Sequence, residues 1–559
     1  MAEEVWMLQT KKADFKQIGA RFRIDPVTAR IIRNRGIEGE AAIDRYLNGT
    51  LDDLYDPMLL KDMECAVSIL CEAVDTGKKI RIVGDYDIDG VCSTYILLQA
   101  FERLGSDVDF EIPDRIKDGY GINESIIEQA HADGVEVILT CDNGISAFHQ
   151  VELAKKYGMT VVITDHHEVP LDGEKEKIPP ADAVIDPKQA DCPYPFPEIC
   201  GAVVAYKLVQ VLYARRGVPQ MEWLDLLEFA AIATVGDVMK LQDENRILVK
   251  YGLKKMAQTK NLGLRRLAEK NNLDLGAITA YHIGFVIGPC LNAGGRLKTA
   301  KEALALLRAQ SEEEAERLAE ELKELNDTRK DMTEQGTEAA KLQVESWYQK
   351  DKVLVVFLPE CHESLAGIIA GRLREYYQKP AIVLTRGEEA VKGSGRSIDE
   401  YHMFKKLTEV SDLLLKFGGH PLAAGLSLEE KNIDEFRRRL NENAGLTEED
   451  FKAKVWIDVP MPVGYVTERL VRELSCLEPF GQGNEKPLFA EKSLRIRASR
   501  VLGRNRNVVK MTLEETDGHA IEALYFGDGT AFEEERAGRR EIDVVYYPDI
   551  NEYNGRKTL

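Results

Sequence analysis

Ile80-Arg81-Ile82-Val83-Gly84-Asp85-Tyr86-Asp87-Ile88-Asp89-Gly90 sets three carboxylates at alternate positions directly after a short apolar run. The run reads as a strand and the carboxylates as the loop at its end. Carboxylates this close repel one another, so a folded chain keeps them together to hold a hard cation or to do acid–base work. The aspartate spacing also fits the start of an EF-hand calcium loop, but that loop needs a helix before it and a glutamate at its twelfth position. Here a strand comes first, and the twelfth position is Ile96. The stretch points to a metal-dependent enzyme.

Outward from this stretch, β-like runs alternate with helical ones between about residues 61 and 300. The strands expected are Ile80–Val83, Val108–Ile112, Val135–Thr140, Thr160–Thr164 and Ala183–Ile185, with helices such as Ser125–Ala132 and Ala147–Tyr157 between them. This alternation predicts a parallel α/β sheet, whose ligands sit beyond the carboxyl ends of the strands. Residues 1–60 read as a helical extension of this catalytic lobe. Residues 301–346 read as a connecting helix, in which Ser311 and Glu314 form a capping box and Leu318, Leu322 and Leu325 recur at helical spacing. A second α/β unit is expected over 347–454, with strands near Val353–Phe357, Pro380–Leu384 and Val391–Ser394. A small β-barrel is expected over 455–559, from runs at Leu494–Leu502, Val508–Leu513, Ile521–Phe526 and Ile542–Tyr547.

At 559 residues the chain is long enough for several domains, and 44% hydrophobic with 30% charged residues is the balance of a globular protein. No apolar run approaches the roughly 20 residues a membrane span needs. The acidic start Met1-Ala2-Glu3-Glu4-Val5 lacks a signal-peptide core, and nine cysteines without a CxxC pair point to reduced thiols in a cytoplasm. A net charge of −21 argues against indiscriminate coating of nucleic acid but not against a local grip. Arg495, Arg497, Arg500, Arg504, Arg506 and Lys510 make such a local basic cluster.

Four polar clusters are expected at strand ends of the first unit: Asp85/Asp87/Asp89, Asp142 in Thr140-Cys141-Asp142-Asn143-Gly144, Asp165-His166-His167, and Asp237 in Ala233-Thr234-Val235-Gly236-Asp237. An aspartate after a strand is by itself more often a helix cap than a ligand. Four such clusters on one parallel sheet converge in space. Carboxylates with one or two imidazoles suit Mn²⁺ or Mg²⁺ better than zinc, and so many ligands suffice for two ions.

Together these clusters resemble the DHH phosphoesterase superfamily and, within it, the RecJ family of single-strand-specific exonucleases. The likeness extends to Ile112-Pro113-Asp114-Arg115, Gly288-Pro289-Cys290-Leu291-Asn292-Ala293-Gly294-Gly295-Arg296-Leu297, Gly393-Ser394-Gly395-Arg396-Ser397, Phe417-Gly418-Gly419-His420-Pro421, Ala423-Ala424-Gly425 and Pro479-Phe480-Gly481-Gln482-Gly483-Asn484. It runs in family order over nearly the whole chain. The resemblance implies a DHH domain, a DHHA1-like second lobe and a terminal OB-like unit that holds single strands.

It also implies roles. Asp87, Asp89, Asp142, His166 and Asp237 are the expected metal ligands, with Asp85 and His167 as ligands or as their supports. Arg115, Arg296, Ser394 and Arg396 are the expected pocket for the terminal 5′-phosphate or the scissile phosphate, because a guanidinium fork binds phosphate oxygens bidentately. Asn292 belongs to the same glycine-rich motif. Gly418, Gly419 and His420 suit a loop closing over the DNA backbone. His362 is expected to line the same cleft, although Cys361 stands where the family usually carries a tryptophan. His282, His402 and His519 read as structural or solvent-facing. Tyr525, Phe526, Tyr546, Tyr547 and Tyr553 are candidates either for base stacking or for the barrel core. The chain stops within an expected hairpin, Asn554 to Leu559, where family members usually continue with a closing strand; either the barrel closes differently or the sequence is a truncated form.

The function expected is 5′→3′ hydrolysis of single-stranded DNA to 5′-mononucleotides with two Mn²⁺ or Mg²⁺ ions, in repair and recombination. A monomer supplied by a helicase and a single-strand-binding protein is expected. Two rivals are a DHH phosphodiesterase for cyclic dinucleotides or short oligonucleotides, which generally lacks an OB-like unit, and a non-catalytic DNA-binding scaffold, which would have lost ligands present here.

Overall fold

The computed structural model describes residues 4–115, 117–553 and 555–559. They form two compact units, one built from Tyr55–Met239 and Leu248–Ala453, the other from Val5–Leu54, Lys240–Ile247 and Lys454–Leu559.

Five parallel strands centre the first unit: β1 (Ile80–Val83), β2 (Val108–Glu111), β3 (Val137–Cys141), β4 (Thr160–Thr164) and β5 (Ala183–Ile185), in the order β2-β1-β3-β4-β5. Every residue of β1, β3 and β5 is buried, as a sheet covered on both faces requires. The order reverses between β1 and β3, and their carboxyl ends open the crevice where such sheets bind ligands. Asp85 to Asp89 follow β1 and Asp142 follows β3. Asp87 caps α1 (Ile88–Arg103), its carboxylate accepting the Asp89 and Gly90 N–H groups at 3.0 and 3.1 Å.

Asp237 departs from expectation. It ends a helix, not a strand: α3 (Leu227–Gly236) follows α2 (Gly201–Arg216), and Asp237 is its C-cap. Residues 227–234 are buried on all sides, so the helix carries an apolar run without the 3.6-residue alternation that would have identified it.

Within the same unit, α4 (Gly288–Leu297) leads through a short helix to α5 (Glu312–Gln343). Only half of the expected capping box at α5 forms. Ser311 Oγ accepts the Glu314 N–H at 3.2 Å, while the Glu314 carboxylate takes the N–H of Gln310. Beyond α5 lies a mixed sheet of β6 (Leu354–Phe357), β7 (Ala381–Arg386), β8 (Val391–Arg396), β9 (Leu414–Gly419) and β10 (Ala423–Leu428), in the order β9-β10-β8-β7-β6. Helix α6 (Ala366–Tyr377) packs on this sheet.

In the second unit the sheet is carried by one long strand. Fourteen-residue β12 (Phe489–Leu502) pairs with β11 (Val459–Pro460), with β13 (Val508–Glu514) and with β15 (Glu541–Tyr546), while β14 (Ala520–Phe526) pairs with β13. Register shifts at Glu491/Leu494 and Ile496/Ala498 bend β12, giving a curled half-barrel around Leu494, Val509, Met511 and Leu513. Tyr546 packs in this core and donates to the Met461 carbonyl, and Tyr525 packs on Phe532. Phe526 and Tyr547 are exposed, so they remain the stacking candidates; the side chain of Tyr553 lies outside the described residues. Asn551–Tyr553 pairs with Arg556–Thr558 as a hairpin.

Residues 5–54 do not extend the catalytic lobe. Ile31, Ile32, Ile43 and Tyr46 share a core with Met461, Leu477 and Phe489 of the second unit. The buried Arg246 guanidinium joins these segments by donating to the carbonyls of Tyr46, Cys476 and Leu477. An apolar helical face in a sequence shows that something covers it, not which segment does. Among the described residues no helix is long and apolar enough to cross a membrane.

Candidate metal centre

Local chemistry places the ligands one by one. Asp89 is buried at the N-terminus of α2, where the Gly201 and Ala202 N–H groups donate to its two oxygens at 2.7 and 2.8 Å. Residue 201 must be glycine here, because a Cβ would lie 2.7 Å from the Asp142 Cβ. Asp142 itself adopts a left-handed φ of 61°. The buried Asn143 holds that turn, its amide donating to the carbonyls of Val83 and Cys141 at 3.0 Å and accepting the Ile122 N–H at 3.2 Å.

Three groups of ligand atoms converge, each within 4.8 Å: Asp85/Asp87/Asp142, Asp89/His166/Asp237 and Asp142/His166/His167. Asp142 and His166 each belong to two groups, so the groups form one continuous centre. His166 Nε2 lies 3.0 Å from Asp142 Oδ1 and 3.4 Å from Asp89 Oδ2. Asp142 Oδ1 is nonetheless buried without a hydrogen-bond partner among the described residues. Two donor atoms that approach without bonding each other share a focus, which a cation fits. The donor set is carboxylate and imidazole with no thiolate, matching Mn²⁺ or Mg²⁺.

Electrostatics point the same way. Burial first, then Asp89 and Asp87, raise Asp142 well above the usual carboxylate range. Burial and neighbouring aspartates push Asp85 and Asp237 each up to about 8. Burial lowers His166, which favours the neutral ring that binds metal. Burial opposes an imidazolium at His167 as well, but the bond to Asp165 outweighs it and raises His167 to about 9.

Some members of the site are not legible as ligands. Asp165 accepts His167 Nδ1 at 2.7 Å, the His166 N–H at 2.8 Å and the Ile145 N–H at 2.9 Å, so it orients the histidine loop. Tyr120 places its hydroxyl 2.9 Å from the Asp142 carbonyl and 3.0 Å from His167 Nδ1. The helix N-terminus under Asp89 is a third such feature. Its only sequence signal is Gly201 opening a long helix.

Beside the centre, Arg115, Arg296, Ser364, Ser394 and Arg396 line a pocket of about 320 Å³ together with Tyr86, the residue between two of the clustered aspartates. Arg115 lies over the Tyr86 ring at 4.7 Å, and Arg296 donates to the Ser364 carbonyl at 3.0 Å. The helix bearing Arg296 presses on the aspartate loop: a Cβ on Gly295 would lie 2.3 Å from the Tyr86 carbonyl oxygen. Burial, then Arg115, lowers Arg296 to about 10 although Asp87 opposes the shift, and burial with neighbouring guanidiniums lowers Arg396 as well. Asn292 lines an adjoining cavity of about 120 Å³ with Arg296, Arg329 and Gly236.

His362 bonds Ser364 Oγ at 2.8 Å and is not among the pocket-lining residues, although its neighbours Glu363 and Ser364 are. Gly418, Gly419 and His420 lie exposed at the β9–β10 turn, and His420 belongs to none of the three ligand groups.

A parallel sheet with a carboxylate–imidazole centre at its switch point, flanked by a lobe that supplies an arginine pocket, is the build of a metal-dependent phosphoesterase. Profiles of the DHH family N-terminal domain, the DHHA1 domain and the RecJ OB domain match residues 79–234, 350–445 and 457–559. Single-stranded-DNA-specific exonuclease RecJ of Bacillus subtilis is 36% identical over 99% of this chain and 69% of that protein. Crystal structures of Thermus thermophilus RecJ cover all of this chain: the Mn²⁺ complex at TM-score 0.84, 29% identity and 78% of its own chain, the Mg²⁺ complex at 0.78, 28% and 77%. The chain belongs to the RecJ family.

Proposed function

We propose that this protein is a metal-dependent 5′→3′ exonuclease that degrades single-stranded DNA to 5′-mononucleotides. The observation that carries the reading is the adjacency of the carboxylate–imidazole centre and the arginine pocket, joined by the loop Asp85–Asp89. A pocket lined by three guanidiniums beside a cation site suits a terminal phosphate next to the bond to be cut.

Two divalent cations supply, when bound, an activated water and neutralisation of charge at the phosphate. Asp87, Asp89, Asp142, His166 and Asp237 hold them, with Asp85 completing one group. His167, fixed by Asp165 and Tyr120, steadies the ligand loop and faces the centre. Arg115, Arg296, Ser394 and Arg396 bind and orient the 5′-phosphate, with Asn292 beside them. Gly418, Gly419 and His420 close over the DNA backbone, and His362 positions Ser364 at the pocket wall. The half-barrel, with Arg495, Arg500, Phe526 and Tyr547 on its exposed surface, holds the strand. The protein works in the cytoplasm, in repair and recombination, as a monomer on strands exposed by a helicase and covered by a single-strand-binding protein. All nine cysteines are free thiols, which supports that compartment.

The test is digestion of 5′-labelled and 3′-labelled single strands and of duplex, titrated with Mn²⁺ and Mg²⁺. Release of label as mononucleotide from the 5′ end of single strands alone is expected. Release from the 3′ end, or equal attack on duplex, would overturn the assignment.

A further inference from the structure

Ala280–His282, a π-turn Ile283–Ile287 and α4 follow one another without leaving helical backbone geometry, so 280–297 is one continuous helix. Tyr281, Phe285, Gly288, Asn292 and Arg296 recur along it at spacings of three or four residues and therefore share one face. Its C-terminal end carries Arg296 of the phosphate pocket. Its middle packs beside the metal centre: Gly284, Gly288 and Asn292 line one cavity with Gly236, the residue before Asp237, and Gly284 approaches Val235.

At the N-terminal end of this face stand Tyr281 and Phe285. They are 64% and 68% exposed, and their rings stack on each other with centroids 4.7 Å apart and planes 28° apart. Among the described residues the ring contacts of these two side chains are with each other and, for Tyr281, edge-on with the neighbouring His282 at 5.9 Å, so their outer faces stay open on a face otherwise made of polar and small residues. The π-turn between them is a helix irregularity of the kind found at functional sites.

We infer that Tyr281 and Phe285 form a base-stacking platform for the DNA strand downstream of the scissile bond, resting on the exonuclease reading above. One rigid helix then holds three points of the substrate in order: the terminal phosphate at Arg296, the reacting phosphate beside Gly288 and Gly236, and unpaired bases at Phe285 and Tyr281. The rise of a helix sets Phe285 about 16 Å from Arg296. A base can lie on these rings only when it is free of a partner, so the platform selects single strands. The occupant is a nucleic-acid strand because the face is continuous with the phosphate pocket.

The test compares the wild type with the double variant Tyr281→Ala/Phe285→Ala and with the conservative Tyr281→Phe/Phe285→Tyr. Substrates are a 5′-phosphorylated dinucleotide, a long oligonucleotide, and the same oligonucleotide with abasic residues downstream of the first bond. The ratio of oligonucleotide to dinucleotide kcat/KM is expected to fall about tenfold in the alanine variant. On the abasic strand wild type and variant should be alike, and the conservative variant should match wild type. Anisotropy binding of normal and abasic strands without metal gives a second readout, in which the preference for bases should vanish with the rings. An equal loss on both strands, or an unchanged ratio, would overturn the platform. If no substrate is cut with Mn²⁺, the exonuclease reading fails, while the binding ratio still decides the platform.

Discussion

Asp165 Oδ1 lies 2.7 Å from His167 Nδ1 and in the same position accepts the backbone N–H of His166, so one buried carboxylate sets the conformation of two adjacent histidines. Burial alone would raise Asp165, yet the His167 bond and the two rings hold it below the ordinary carboxylate range. It is a charged strut under the ligand loop.

Asp165→Asn keeps size but loses the charge that fixes His167. Apparent Mn²⁺ affinity is expected to weaken about 10- to 100-fold with the fold retained. Calorimetric titration checks this against circular dichroism; unchanged affinity would remove Asp165 from the site.

Asp142→Ala deletes the residue shared by two ligand groups. Nuclease activity should disappear while single-strand binding persists. Because Asp142 is buried among like charges, the variant should melt no lower than wild type in chelator, yet lose the rise in Tm that Mn²⁺ gives wild type.

Arg396→Ala should cost at least tenfold in the preference for 5′-phosphorylated over 5′-hydroxyl ends, measured as a ratio of kcat/KM. Hydrolysis falling equally on both ends would place Arg396 elsewhere in catalysis.

The half-barrel cannot be tested by truncation at residue 455, since Ile31, Ile32, Ile43 and Tyr46 would lose the core they share with it. Arg495→Ala/Arg500→Ala is the cleaner probe. If both contact phosphate, the slope of log affinity against log salt should shrink by about 0.7 for each.

Glu228 reports stability. It is 3% exposed, and one oxygen accepts the Thr259 hydroxyl at 2.7 Å while the other has no hydrogen-bond partner among the described residues. Burial raises it to about 7 from 4.5. A folded pKa above the unfolded one means a stability contribution present below about pH 4.5 and lost as pH rises through about 7. Glu228→Gln should therefore match wild type in urea unfolding near pH 4.5 and exceed it at pH 8 by on the order of 1–2 kcal/mol, less than the full linkage because a buried amide also seeks partners.

The ligand types and the parallel sheet were readable from local pattern. Strands β1, β4 and β5 fall where their β-branched runs end in polar residues, and Asp85, Asp87, Asp89, Asp142, His166 and His167 follow such runs directly. Asp237 was found by motif, but its carrier was not. An all-buried helix and a buried strand look alike when no face is polar.

By itself the sequence determined which donors exist and that all but Asp237 follow strands, because alternation and charge are written residue by residue. Only the tertiary structure decided that Asp89 rests on a helix begun 112 positions later in the chain, that Asp165 braces both histidines, and that residues 5–54 share a core with Met461, Leu477 and Phe489. Each of these depends on contacts between segments far apart in the chain, where the energy is that of burial and hydrogen bonding, and no local spacing records which partner supplies it.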